Sequence, residues 1–252
     1  MTNTFSARFA ILFIVAELGA CAVSAPPERS LQPLADADCH PVADAEQPQY
    51  IVGYGSLMQD ESRKRTSPQA GPAHPVEIAG YRRSWSSRGD PVGFGTTYLG
   101  VAADSRSSMN AVVYRVEANE LAATDRREAS YCRSGVSLAS IKTLESGGFG
   151  IARGQVWIYV NRPDAIASPS AKYPIVQSYV DIFVSGCLEQ EQRFDLQGFA
   201  RQCLASTGGW SEHWVNDRIY PRRPFIFQPK AHQIDALLAK HLPEFFSRIR
   251  IE

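Results

Sequence analysis

From residue 49 onward, apolar and polar positions alternate or gather in short runs, each closed by Gly, Pro, Asp or Ser. A period of two bounded by turn residues predicts strands over 50–54, 76–85, 95–101, 110–116, 136–144 and 154–161. Between the fourth and fifth runs the spacing becomes helical, from 118 to about 131, with Asn119 as its N-cap. After Pro163 the helical period takes over, at 173–189 with Ile175, Tyr179, Ile182 and Phe183 on one face, then at 194–206 and 232–249. Six strands around one helix, followed by a helical tail, is an α+β arrangement. The tail shows no strand-like run, so 169–252 is expected to pack on a domain spanning 49–168 rather than stand alone.

The first 48 residues break this pattern. Arg8 precedes an apolar segment over 9–16 and then Leu18-Gly19-Ala20-Cys21, the build of an export signal. The run is far below the roughly 20 residues of a membrane-spanning helix. Leu-Gly-Ala-Cys resembles the lipobox of bacterial lipoproteins, which would make 1–21 the signal with its lipobox and Cys21 the site of lipidation, anchoring a periplasmic protein to a membrane. A plain signal peptide cut after Val23-Ser24-Ala25 is the alternative, and Glu17 suits neither. Both imply export into a bacterial envelope. Residues 22–48, rich in Ala, Pro and Asp, read as a flexible tether.

Composition narrows the partners. Lys+Arg and Asp+Glu both number 26 in 252 residues, and no basic block is long enough to follow a phosphate backbone, so nucleic acid is not expected. With Cys21 set aside, Cys39, Cys132, Cys187 and Cys203 allow three pairings in an oxidising compartment. The positions of Cys187 and Cys203 near the ends of successive helical patterns favour that pair. No Cys-x-x-Cys spacing and no His pair at i, i+4 occurs, so neither metal nor cofactor is expected.

The chemistry centres on one carboxylate. Leu121, Thr124, Glu128 and Tyr131 fall on a single helical stripe, which turns Glu128 toward the core. An inward Glu is either paired with an arginine, with Arg82, Arg83 and Arg133 the candidates, or raised in pKa and usable as an acid/base. The second clue is the strand that stops at Tyr54-Gly55-Ser56-Leu57. It is a plain turn, or a place where Gly55 lets successive amides converge on an anion. Cys132 reads as a disulfide or inert core cysteine before a nucleophile. Trp210, His213 and Trp214 with Asp217-Arg218 read as an aromatic core cluster before a pocket wall, and Arg88-Gly89-Asp90 as a turn.

Tyr54-Gly55-Ser56-Leu57, Gly80-Tyr81-Arg82-Arg83-Ser84-Trp85, Thr97-Tyr98-Leu99-Gly100-Val101, Val113-Tyr114-Arg115-Val116 and Asp125-Arg126-Arg127-Glu128-x-x-Tyr131-x-Arg133 follow in the order and spacing of the γ-glutamylcyclotransferase-like superfamily, which the chain resembles over 50–162. The resemblance implies a small mixed β-barrel with surrounding helices, here with a helical C-terminal extension. It implies release of 5-oxoproline from a small γ-glutamyl peptide or amide, without cofactor or metal. Tyr54, Gly55, Ser56 and Leu57 would hold the substrate α-carboxylate, and Glu128 would be the acid/base. Leu57-Met58 and Asn110 depart from the family pattern. A non-catalytic envelope lipoprotein that binds a carboxylate-bearing ligand or a protein partner in the same pocket is the competing expectation.

Overall fold

Two long strands, β2 (His74–Gly89) and β3 (Thr96–Val116), form an antiparallel hairpin that carries the rest of the sheet. The structure is a computed structural model and describes residues 1, 39–90, 93–147, 149–223 and 230–252. The sequence reads 95–101 and 110–116 as separate strands because Asp104-Ser105-Arg106-Ser107 has turn chemistry. That chemistry is spent on a bulge. Ala79 pairs with Ser108 and Tyr81 with Ala103, so the four intervening residues bow out opposite Gly80, whose φ is +86°, while Asp104 accepts from the amide of Arg106 and the hydroxyl of Ser107.

β1 (Gln49–Gly53) lies between β3, antiparallel over Gln49↔Val116 to Gly53↔Val112, and β6 (Gln155–Asn161), parallel. β4 (Tyr131–Gly135) closes that side on β6, and β5 (Ile141–Thr143) pairs with β2. The apolar run at 136–144 is thus divided, with a single helical turn at Leu138–Ser140 before β5. Val52, Val101, Val112, Val113 and Ile158 form the floor of the core, each fully buried.

α1 (Asp60–Lys64) follows β1, and α2 (Ala118–Arg127) follows β3. α2 starts at Ala118 as expected, but Glu117 is its N-cap, in a reciprocal capping box with Glu120, rather than Asn119. It ends earlier than expected. Tyr131 to Gly135 pair with β6, and five ladder positions outweigh another helical turn through Ser130 and Cys132.

The C-terminal third is less purely helical than its pattern suggests. β7 (Ile175–Val176), β8 (Thr207–Gly208), β9 (Trp214–Asn216) and β10 (Arg250–Ile251) extend the sheet, giving the mixed order β10-β9-β7-β3-β1-β6-β4 with β2 beside β3. Among the described residues the ladder stays open at β10 and β4 rather than closing into a barrel. Ile175 therefore sits on a strand and not on the helix face assigned to it. α3 (Gln177–Phe194) is buried on nearly every side, α4 (Phe199–Ala205) is joined to it by the Cys187–Cys203 disulfide, and Pro243 separates α5 (Ala231–His241) from α6 (Pro243–Phe246). The described residues from 39 onward belong to one compact unit.

Residues 39–48, read as part of the tether, are docked. Cys39 is bonded to Cys132, its carbonyl accepts from the Arg133 amide at 2.7 Å, and the Asp44 amide donates to Gln155 Oε1 at 2.6 Å. The proposed lipobox, Cys21 and the remainder of the tether lie outside the described residues. Among the described residues no helix is long and apolar enough to cross a membrane.

α3 crosses the turn after β1 at a glycine. A Cβ at Gly186 would stand 2.6 Å from the Gln59 amide nitrogen and 2.7 Å from the Met58 carbonyl carbon. Ala is worth about 1 kcal/mol over Gly in an open helix, but forcing backbone apart in a packed core costs about 1–3 kcal/mol. The clash wins, so Gly186→Ala is expected to lower the urea midpoint; an unchanged or raised midpoint would contradict the close approach.

Candidate active site

β1 ends at Gly53, and the chain turns through Tyr54 and Gly55 into one 3₁₀ turn, Ser56–Met58. The first donors of that turn have no intrahelical acceptor. Among the described residues the Gly55 and Leu57 amides have no backbone acceptor, and the Ser56 amide points at the Tyr179 hydroxyl oxygen. Glycine is required at 55 by that approach, since a Cβ would lie 2.7 Å from the Tyr179 hydroxyl. The turn is pinned from both sides. Arg83 donates to the Tyr54 carbonyl at 3.0 Å, and Arg127 donates to Ser56 Oγ at 3.1 Å while its other nitrogen holds the Ser62 carbonyl at 2.6 Å. Met58 points away into the core against Cys187, so the unusual Leu57-Met58 pair contributes only Leu57 to the site.

Glu128 is the C-cap of α2, with φ −97° and ψ 29°, and reaches the interior from there. The expected stripe is therefore assembled from two elements: Leu121 and Thr124 on the helix, Tyr131 on β4. None of the three arginines proposed as its partner meets it. Arg82 lies 3.4 Å from Asp104, Arg133 lies 3.4 Å from Asp125, and Arg83 is enclosed by carbonyl and hydroxyl oxygens. Its cation is instead its neighbour Arg127, with Nε 3.3 Å from Oε1, and the Glu128 side chain remains 16% exposed. Burial pushes the Glu128 carboxyl above the usual glutamate range, although the charges of Arg127 and Arg223 pull the other way.

Glu128 and residues 54–57 line one inner recess together with Leu99, Tyr131, Tyr159 and Tyr179. Its volume is about 20 Å³, room for one small polar group. An outer recess of about 100 Å³ adjoins it, sharing Ser56, Glu128, Tyr131 and Tyr179 and adding Tyr98, Arg127 and Arg223.

Burial raises the pKa of every tyrosine here, with Tyr98 at about 12, so all carry their protons at neutral pH. Three of those protons are committed. Tyr54 donates to the Tyr159 carbonyl at 2.6 Å, Tyr131 to the Leu99 carbonyl at 2.9 Å, and Tyr159 to Asp125 at 2.7 Å. The Tyr98 hydroxyl is buried without a partner among the described residues.

Tyr98 and Arg127 stand in the family-like motifs and Tyr179 on a helix face, but the sequence assigns none of them a role, and Arg223 carries no signal at all; the fold gathers the four. Cys132 is held in its disulfide and is no nucleophile. Trp210 stands 5.2 Å from both Trp85 and Trp214, and Trp85 meets Tyr179 edge-on, so this cluster backs the site as core. Among the described residues no group of three His, Cys, Asp or Glu side chains could hold a metal ion.

No protein-family profile and no curated protein matches the chain. Among solved structures it is similar to one described as a gamma-glutamyl cyclotransferase, at 13% identity and TM-score 0.47 over 77% of this chain and 99% of that one. It is also similar to an uncharacterized protein from Homo sapiens, at 12% identity and TM-score 0.45 over 66% of this chain and 92% of the other. A third likeness is to a yeast gamma-glutamyl cyclotransferase described as specific to glutathione, at 12% identity and TM-score 0.41 over 79% of this chain and 97% of that one.

Proposed function

We propose that the chain releases 5-oxoproline from a γ-glutamyl peptide or amide. The observation that carries this reading is that a carboxylate raised in pKa and the Gly55 and Leu57 amides, which meet no backbone acceptor among the described residues, line the same recess.

In this reading the Gly55 and Leu57 amides receive the substrate α-carboxylate, which fits a recess with room for one small polar group. The α-ammonium then lies beside Glu128. Ionised Glu128 removes its proton, the freed amine attacks the γ-carbonyl carbon to form the ring C–N bond, and the original amide C–N bond breaks. Protonated Glu128 returns the proton to the departing amine, and the second proton, shed by the ring nitrogen after attack, goes to the same amine, which leaves as an ammonium. Nucleophile and electrophile belong to one molecule, and oriented intramolecular attack reaches effective molarities of about 10⁵–10⁸ M. The protein needs no nucleophile of its own. The hydroxyls of Tyr98 and Tyr179, protonated and not committed as donors among the described residues, are the donors left for the γ-carbonyl oxygen.

Incubation with glutathione, γ-glutamyl dipeptides and γ-glutamyl amines, with 5-oxoproline as readout, tests the reading; absence of product from all of them would overturn it. A pH profile gives a second check. The base must be ionised, so kcat/KM is expected to fall on the acid side with a midpoint above 4.5, the ordinary glutamate value. A midpoint at or below that value would separate the limb from Glu128.

Two disulfides, Cys39–Cys132 and Cys187–Cys203, support placing the protein in an oxidising compartment, and with the N-terminal pattern we propose export.

A further inference from the structure

Arg127 and Arg223 both line the outer recess, but their situations differ. Arg127 is occupied: it holds the Ser62 carbonyl and hydroxyl, Thr66 Oγ1 and Ser56 Oγ, and lies against Glu128. Arg223 has neither a carboxylate nor a carbonyl within hydrogen-bond distance of its guanidinium among the described residues. Its guanidinium carbon lies 5.8 Å from the Tyr98 centroid and 5.9 Å from that of Tyr179, beside the Tyr98 hydroxyl and within reach of the Glu128 charge. A cation laid between two aromatic faces is oriented but not neutralised.

Its backbone is anchored. The Arg223 amide donates to Ser178 Oγ at 3.2 Å, and Ser178 Oγ donates to Asp217 Oδ2 at 2.6 Å. Asp217, buried, also accepts from the amides of Ser178 and Arg222, both at 2.7 Å. The segment that returns from β9 is thus fastened to the start of α3, one residue before Tyr179. The cyclisation scheme assigns no role to the Arg223 side chain.

Arg223 lines the outer recess and not the inner one, so it does not face the place assigned to the α-carboxylate. What extends outward from the γ-carbonyl is the leaving group. We propose that Arg223 is a specificity-determining residue that pairs with a carboxylate on the leaving group, so that γ-glutamyl amino acids or peptides are preferred to γ-glutamyl amines. This rests on the cyclisation reading. The guanidinium fork matches a carboxylate with two parallel hydrogen bonds, and a neutral leaving group would leave the cation unmatched.

The test compares γ-glutamyl-alanine with its C-terminal carboxamide, which differ only in that charge. The protein is expected to favour the carboxylate about ten- to hundredfold in kcat/KM. In Arg223→Gln that ratio is expected to collapse to within about threefold, and Arg223→Lys, which keeps the charge without the fork, should retain an intermediate ratio. A ratio near one in the unmodified protein, or one that survives in Arg223→Gln, overturns the proposal while product release leaves cyclisation standing. If no substrate is turned over, the cyclisation reading fails, and equilibrium binding of the same two compounds to Glu128→Gln decides the matter for Arg223. Tighter binding of the carboxylate compound, lost when Arg223→Gln is added, supports the proposal; equal binding overturns it.

Discussion

Glu128→Gln is expected to lower the rate of 5-oxoproline release by about 10²–10⁴-fold, the usual contribution of a positioned acid/base. The substitution keeps the shape and removes only the capacity to shuttle a proton. It should not unfold the protein. Because burial raises the folded-state pKa of Glu128, its ionisation favours the unfolded chain, and stability tied to it is fully present below about 4.5 and is lost as pH rises through the raised value. A neutral Gln does not incur that loss, and Arg127 keeps its bonds to Ser56, Ser62 and Thr66. Loss of activity with an unaltered urea transition is therefore the expected pair of results. A variant within tenfold of the parent would show that proton transfer does not pass through this carboxyl.

The second large effect is expected on folding and not on proton transfer. Arg83 is fully buried, and its donors reach the Tyr54, Asn110 and Cys203 carbonyls, Asn110 Oδ1, Ser206 Oγ and Thr207 Oγ1 at 2.7–3.0 Å, with its guanidinium 4.8 Å from the Phe183 ring centroid. No carboxylate pairs with it among the described residues, so carbonyl and hydroxyl dipoles alone solvate the charge. Arg83→Met fills similar space but strands those acceptors in the core, at a cost of about 3–5 kcal/mol. Against a total of about 5–15 kcal/mol, the urea midpoint should drop sharply or the protein should fail to fold. Arg83→Lys is expected to recover only part of it, because one ammonium cannot span acceptors on three elements. A loss under about 1 kcal/mol in Arg83→Met would show that these bonds are replaced by water.

The same arginine gives Asn110 its role. Asn110 Oδ1 accepts from Arg83 and its Nδ2 donates to the Phe199 carbonyl at 3.0 Å, which ties the hairpin to α4. The sequence marks Asn110 as unusual and gives no sign of the bond, since Phe199 is 89 residues away.

That contrast runs through the whole chain. The break at 54–57 and the inward Glu128 are legible because each is written in a local rule, a strand ended by Gly-Ser and a carboxylate on an apolar stripe. The extent of α2 is not, because Tyr131 follows the helical period as well as it follows a strand and only its ladder with β6 decides. β7 and β8 hold two residues each, too few to show any period. The docking of 39–48 depends on which cysteine Cys39 meets, and four cysteines leave that open. Arg223 belongs to a stretch that no pattern distinguishes from loop, and its place beside Tyr98 and Tyr179 follows from a return of the chain across the sheet.

Asp217 grips the first turn of α3 and residues 222–223 at once, through Ser178 and the Arg222 amide. The helix that carries Tyr179 and the segment that carries Arg223 are thereby two leaves on one pivot. Swinging either aside would break hydrogen bonds to a buried carboxylate, so Tyr179 and Arg223 are expected to hold their places relative to each other.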